Sequence, residues 1–127
     1  KVVLGITQWG FQGFNPGQLM INARSETVEE KKTFSKAFRE TRCVIPVSGF
    51  YEWDSEKRKL LFTAGDNDVF YLGGFYRVHK TGAGFETESI IMTTKPNDSV
   101  SPIHDRMPLI IQRLDHRFGF CTKLSHN

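Results

Sequence analysis

Three stretches of this chain place ionisable or hydrogen-bonding side chains among apolar ones, and each could do chemistry. Glu52 lies in Gly49-Phe50-Tyr51-Glu52-Trp53, one carboxylate among three aromatics. A carboxyl withdrawn from water favours its neutral form, so its pKa rises toward the range where it can give and take a proton at neutral pH. His104 heads His104-Asp105-Arg106, set between Pro102 and Pro108 and followed by Leu109-Ile110-Ile111. Imidazole titrates near neutrality and is the usual proton shuttle. Asn22-Ala23-Arg24-Ser25-Glu26 offers an amide and a guanidinium just ahead of a helical pattern.

Each stretch also has a plainer reading. Glu52 can begin the polar run Asp54-Ser55-Glu56-Lys57 and be solvated. A lone His is more often a hydrogen-bonded structural residue, although the adjacent Asp and Arg tilt this one toward a site. Asn and Ser before a helix commonly cap free backbone N–H groups. There is no Gly-x-Ser-x-Gly elbow and no P-loop. Gly73-Gly74 is a strand-interior pair that points to close backbone approach. Spacing alone ends at an Asn/Glu/His polar site in a strand-rich domain.

The elements that must position these residues follow from periodicity. Thr27 to about Glu40 reads as a helix: Thr27 with Glu30 is a capping-box pattern, and Val28, Phe34, Ala37 and Phe38 give one apolar face. A short strand is expected near Val2 to Ile6. Further strands are expected at Cys43 to Trp53, Leu60 to Thr63, Val69 to Val78 and Phe85 to Thr94. Turns fall at Gly65-Asp66-Asn67-Asp68 and Thr81-Gly82-Ala83-Gly84, and a buried segment runs from Ile103 to Ile111. Alternation sets Ser48, Phe50 and Glu52 on one strand face and Val47, Gly49, Tyr51 and Trp53 on the other.

The 127 residues suit one domain, and they carry no repeat, low-complexity tract or linker. A net charge of +3 and a pI near 9.0 permit an anionic partner without demanding one. The two cysteines, Cys43 and Cys121, form neither a Cys-x-x-Cys pair nor a zinc spacing, so no metal and no cofactor are expected. No apolar run approaches the roughly 20 residues of a membrane span. No membrane partner and a cytoplasmic location are the expectations, nucleoid-associated if the source is bacterial.

Taken in order, seven segments resemble the SRAP (SOS-response-associated peptidase) family over about residues 9 to 111. They are Trp9-Gly10, Asn22-Ala23-Arg24-Ser25-Glu26-Thr27, Arg42-Cys43 with Ile45-Pro46, Gly49-Phe50-Tyr51-Glu52-Trp53, Gly74-Phe75-Tyr76, Thr93-Thr94 and Ile103-His104-Asp105-Arg106-Met107-Pro108. The resemblance implies a sensor of abasic sites in single-stranded DNA. In that chemistry an N-terminal Cys, freed by removal of Met, attacks the ring-opened aldehyde with its amine and thiol and caps it as a thiazolidine. The family name records a self-processing peptidase activity.

By the same resemblance, Asn22 orients the reacting terminus or opened sugar, Glu52 moves protons, and His104 assists ring opening and closing. Arg24 holds a phosphate, Trp9 stacks near the DNA channel, and Arg106 is a further phosphate contact or a partner of Asp105. Glu52 is then expected near His104 or Asn22 around one cleft. The expected fold is α+β, a single strand-dominated domain over residues 1–127. Twisted, mostly antiparallel sheets form a barrel-like core with a few flanking helices.

Only eight residues precede Trp9 here, and neither cysteine is N-terminal. The expectation is a monomeric domain without the family's N-terminal segment and part of its C-terminal tail, unable by itself to form the thiazolidine. A non-catalytic single-stranded DNA binding module of the same fold is the alternative, and a Glu/His hydrolase or peptidase acting on a small substrate is a third reading.

Overall fold

The computed structural model describes residues 4–65 and 69–111 and the strand pairing of 119–120 and 124–125. The first strands are short: β1 (Thr7–Trp9), β2 (Phe11–Gln12), β3 (Leu19–Met20) and β4 (Asn22–Arg24). A single 3-10 turn at Val28–Glu30 precedes α1 (Lys32–Glu40). Then come β5 (Arg42–Val47), β6 (Gly49–Trp53), β7 (Lys59–Thr63), β8 (Phe70–Thr81) and β9 (Gly84–Thr94). Four two-residue strands close the order: β10 (Met107–Pro108), β11 (Ile110–Ile111), β12 (Gly119–Phe120) and β13 (Leu124–Ser125).

The long β8–β9 hairpin is the axis. It is paired antiparallel from Thr81↔Gly84 to Gly74↔Ile91, and there it forks. The segment from Met107 to Ile111 fills the fork. β10 pairs with β9 through Met107↔Thr94 and Pro108↔Thr93, and β11 pairs with β8 through Ile110↔Leu72 and Ile111↔Tyr71. Leu109 bridges the two strands: its N–H donates to the Met92 carbonyl, and its carbonyl accepts the Gly73 N–H.

The two glycines make the fork sterically feasible. A Cβ on Gly74 would stand 2.2 Å from the Ile90 carbonyl oxygen, and one on Gly73 would stand 3.0 Å from the Ile111 side chain. The close approach expected of this pair is what the fold uses.

The sheet around the axis is mixed. β5 pairs antiparallel with the outer edge of β8, while β1 and β4 follow one another in parallel along the outer edge of β9. One face carries Phe11, Ala23, Val28, Ala37, Phe75, Ile90 and Met92, with Phe34 and Phe38 of α1 packed on it. Phe75 is the hub, meeting Phe11, Phe34 and Phe38 at centroid distances of 5.7, 5.6 and 6.4 Å. Full burial of such a ring contributes about 1.5–3 kcal/mol. The helix ends where Thr41 hands its hydroxyl to the Ala37 and Tyr76 carbonyls and accepts the Tyr76 N–H. The other face carries Ile45, Leu72 and Ile91, with Val47, Phe70 and Ile110 beside them.

Several sequence expectations are corrected. Among the described residues no sheet closes, so there is no barrel: two two-stranded sheets, β2–β3 and β6–β7, lie apart from the large one. Among the described residues one α-helix flanks the sheet rather than a few. The helix expected from Thr27 is interrupted at Lys31, whose backbone is extended, and the Thr27 side chain makes no cap. Val28 is anchored in the core, and that tertiary contact outweighs the local capping pattern. The strand expected over Cys43 to Trp53 breaks at Ser48, because β5 pairs with β8 while β6 pairs with β7. Residues 4–6 belong to no strand, and the first begins at Thr7. From Ile103 to Ile111 only β10 and β11 are extended, for the reason that the fork has room for two short pairings. Asp66-Asn67-Asp68, Cys121 and Lys1 lie outside the described residues.

The β6–β7 turn is held by Asp54, which accepts the Glu56 and Arg58 N–H groups and the Arg58 Nε–H, all on Oδ1 and Oδ2 at 2.7–2.9 Å. Those bonds, led by the Arg58 N–H, pull its pKa below the ordinary carboxylate value. Lys57 completes the turn at φ 62, in the left-handed region. Lys57→Gly is expected to stabilise the protein by about 1 kcal/mol, whereas Gly74→Ala is expected to cost about 2–3 kcal/mol, both read by chemical denaturation.

Candidate functional site

The β6–β7 hairpin sets Glu52. Phe50 and Glu52 point inward together, while Tyr51 and Trp53 are about half exposed. Phe50 stacks on Phe62 (5.2 Å, 16°) and meets the edge of Phe70 (6.2 Å, 77°), which presses this hairpin against the Ile45–Leu72–Ile91 face. The Glu52 side chain is left 18% exposed. Burial pushes its pKa up, His104 opposes that shift, and Asp105 adds to it. The solvated reading of Glu52 therefore fails: the strand alternation holds beyond the break at Ser48.

His104 arrives from the other side. Asn97 Oδ1 accepts the Ser99 and Val100 N–H groups, and the Val100 carbonyl accepts those of Ile103 and His104. This double turn delivers the imidazole just before β10. Its Nδ1 accepts the Arg106 N–H at 3.1 Å and lies 3.0 Å from the Arg106 carbonyl oxygen. Glu52 Oε2 is 3.7 Å from the same nitrogen and Asp105 Oδ1 is 3.4 Å away. In a neutral ring that accepts at Nδ1, the proton sits on Nε2. In the protonated ring, the Nδ1 proton faces three ready oxygens.

Arg106 lies across the end of the sheet. Nη1 and Nη2 donate to the two Glu26 carboxylate oxygens at 3.1 and 2.9 Å, and Nη2 also donates to Thr93 Oγ1 at 3.0 Å. The partner of Arg106 is thus Glu26, while Asp105 is turned toward His104 and is largely exposed. The Arg106 bonds hold the Glu26 carboxyl down to about 2. Arg106 Nε is buried without a partner among the described residues, a loss of about 1–3 kcal/mol that the end-on grip of Glu26 and Thr93 must offset.

Strand register places the remaining candidates. Trp9, Asn22 and Arg24 stand opposite Ser89, Ile91 and Thr93 of β9. Residues paired in a ladder share a face, so all three lie in successive rows on the face that bears Ile91 and Thr93. Ala23, between them, faces the opposite core. Asn22 and Arg24 are exposed, and Trp9 is partly exposed with its indole N–H donated to the Ile21 carbonyl at 2.9 Å. No hydrogen bond among the described residues joins Asn22 to Glu52 or His104. The helix-approach reading of Asn22 is superseded, because Asn22–Arg24 is a strand.

Two site residues had no role from sequence. Glu26 was masked by its place next to a capping pattern, and Thr93 by its place in an apolar strand. A carboxylate separated by one residue from Arg24, and a hydroxyl beside buried Met92, were the only signals. Among the described residues no three His, Cys, Asp or Glu side chains cluster as a metal site would require. Cys43 is fully buried in β5.

Residues 2–118 match the SOS response associated peptidase (SRAP) family. The chain is 36% identical over 118 residues to the abasic site processing protein YoqW of Bacillus subtilis (strain 168), covering 85% of this chain and 53% of that one. It is 37% identical over 123 residues to the abasic site processing protein YoaM of the same strain, covering 89% and 54%. A crystal structure of a protein from Bacteroides thetaiotaomicron superposes with a TM-score of 0.67 at 27% identity, over 74% of this chain and 44% of that one. The chain spans about half the length of the curated relatives it matches.

The burial of Glu52 has a measurable sign. A carboxyl whose folded pKa is raised lowers stability as pH climbs from the ordinary value of 4.5 through its own, and has no such effect below both. Glu52→Gln is therefore expected to raise the thermal unfolding midpoint at pH 7 and to give no gain near pH 3.5, measured as melting curves across about four pH units.

Proposed function

Since the chain belongs to the SOS response associated peptidase (SRAP) family, we propose that it engages abasic sites in single-stranded DNA and that Glu52 and His104 move the protons of the lesion's sugar. The observation that carries this reading is the Glu52–His104 pair, 3.7 Å apart and partly shielded from water, on a hairpin whose Phe50 packs against the sheet face that also bears Asn22 and Arg24. Opening the sugar hemiacetal requires one proton to leave the C1′ hydroxyl and one to arrive at the ring oxygen. A carboxyl whose pKa burial raises can supply the second while the imidazole accepts the first, and closure runs the exchange backwards. Asn22 would hold the opened sugar by hydrogen bonds. Arg24 would bind a flanking phosphate, and the exposed edge of Trp9 would stack on a base.

The family's crosslinking step, and the self-processing peptidase step in its name, need a terminal amine with a thiol. Cys43 supplies neither, since its thiol is buried and its amine is in a peptide bond. The second reading is a single-stranded DNA binding module. We propose a monomer acting without metal in either case.

Fluorescence anisotropy and mass spectrometry separate the readings. Arg24→Glu is expected to weaken single-stranded DNA binding about tenfold and to lower the salt slope by about 0.7, one phosphate contact. Glu52→Gln and His104→Ala are expected to keep the affinity. Both should lose about 10²–10⁴ in the rate at which abasic aldehyde is consumed or adducted. Equal affinity for abasic and intact strands, with no aldehyde consumed by the unmodified chain, would leave only the binding module.

A further inference from the structure

We infer that Glu26 is a positioning residue: through Arg106 and with Thr93 it sets the tautomer and orientation of His104. The inference rests on the proton-handling role proposed for His104. Glu26 and Thr93 are not members of the acid/base pair, and neither is one of the DNA contacts proposed for Asn22, Arg24 and Trp9.

The chain of contacts is short. Glu26 grips the guanidinium bidentately, and Thr93 Oγ1 accepts a third bond from the same Nη2. A bidentate carboxylate–guanidinium pair fixes direction as well as distance. The Arg106 side chain is only 16% exposed, so this grip restrains the residue's backbone as well as its side chain. That backbone is what holds His104: the Arg106 N–H is donated to Nδ1 and the Arg106 carbonyl oxygen stands 3.0 Å from it. The Arg106 N–H favours the ring protonated at Nε2 and the Arg106 carbonyl oxygen beside the same nitrogen favours the ring protonated at Nδ1, so the placement of the Arg106 backbone decides between them. The base is thus oriented by a third group, which is the arrangement acid–base sites require.

The geometry explains why an arginine, and not a lysine, sits at position 106. A single ammonium could not face both Glu26 oxygens and Thr93 in one plane. It also explains the unpartnered Nε, because rotating the guanidinium to satisfy it would release Glu26. Thr93 stands opposite both Arg24 and Pro108, so one row of the sheet holds the anchor level with the fork.

The test is carried out on the free chain, without DNA, by nitrogen NMR of the histidine rings. In the unmodified protein His104 is expected to hold one tautomer, with an Nδ1 resonance well away from that of free imidazole. Glu26→Gln and Thr93→Val are expected to move that resonance toward the tautomer average of free imidazole, and Thr93→Ser to restore it. Melting curves and the remaining amide spectrum check that each variant is folded. Where the chain consumes abasic aldehyde, Glu26→Gln should lower the rate about tenfold to a hundredfold, shift its pH profile and keep single-stranded DNA affinity.

A His104 tautomer that is unchanged in folded Glu26→Gln and Thr93→Val overturns the inference. So does tighter DNA binding by Glu26→Gln, which would make Glu26 the occupant of a phosphate seat on Arg106. A tautomer change without any aldehyde chemistry in the parent chain upholds the positioning and removes the proposed function, so the two failures are distinguishable.

Discussion

The fork between β8 and β9 is the constraint from which the rest of the molecule follows. Two antiparallel strands that part must leave a row of N–H and carbonyl groups unpaired, and a buried unpaired peptide group is costly. Leu109 resolves this with one residue, donating to Met92 and accepting from Gly73. The segment before Leu109 is thereby tied to the end of β9, and that segment carries His104 and Arg106. Without side-chain-free positions at 73 and 74, the inserted strand and the Ile90 carbonyl would collide with a Cβ. A packing requirement of the sheet thus decides where the imidazole stands.

The two faces of the sheet divide the work. The face under α1 is built from rings gathered around Phe75, and it is braced at its far end by Arg77. This arginine bonds buried Glu88 at 2.8 Å and the Gln12 carbonyl at 2.8 Å, with its guanidinium 4.2 Å over the Phe11 ring. Those contacts hold β2 onto the β8–β9 hairpin. The opposite face is covered at one end by the β6–β7 hairpin and is open along β4 and β1. Trp9, Asn22 and Arg24 collect there because parallel register carries alternate residues of β1 and β4 to the same side as Ile91 and Thr93.

Two carboxylates on this face sit in opposite environments. Glu52 is packed behind Phe50 with an imidazole as its nearest polar neighbour, and burial raises its pKa. Glu26 is gripped by Arg106 and drawn further by Arg24, which lowers its own. One is therefore shifted toward its neutral form, and the other is held as an anion. Environments that push similar groups apart in this way separate a proton-transfer role from a purely electrostatic one.

Much of this was legible in the sequence. The strand alternation through Phe50 and Glu52, the Phe34–Ala37–Phe38 helix face and the meaning of Gly73-Gly74 depend on local periodicity and on the absence of a Cβ. The family was legible too, because its motifs lie in order along the chain. The break at Ser48, the interruption of the helix at Lys31 and the open sheet were not, since each is decided by which distant strand offers hydrogen bonds. The same holds for the site. Residue types and periodicity determined that Glu52 faces inward and that His104 and Arg106 stand at the mouth of an apolar run. Only the tertiary structure decided that Arg106 pairs with Glu26 rather than Asp105, and that His104 meets Glu52. Those contacts span 80 and 52 residues of chain, distances over which no local pattern carries information, and they exist because the fork brings the end of β9 beside residues 104–106.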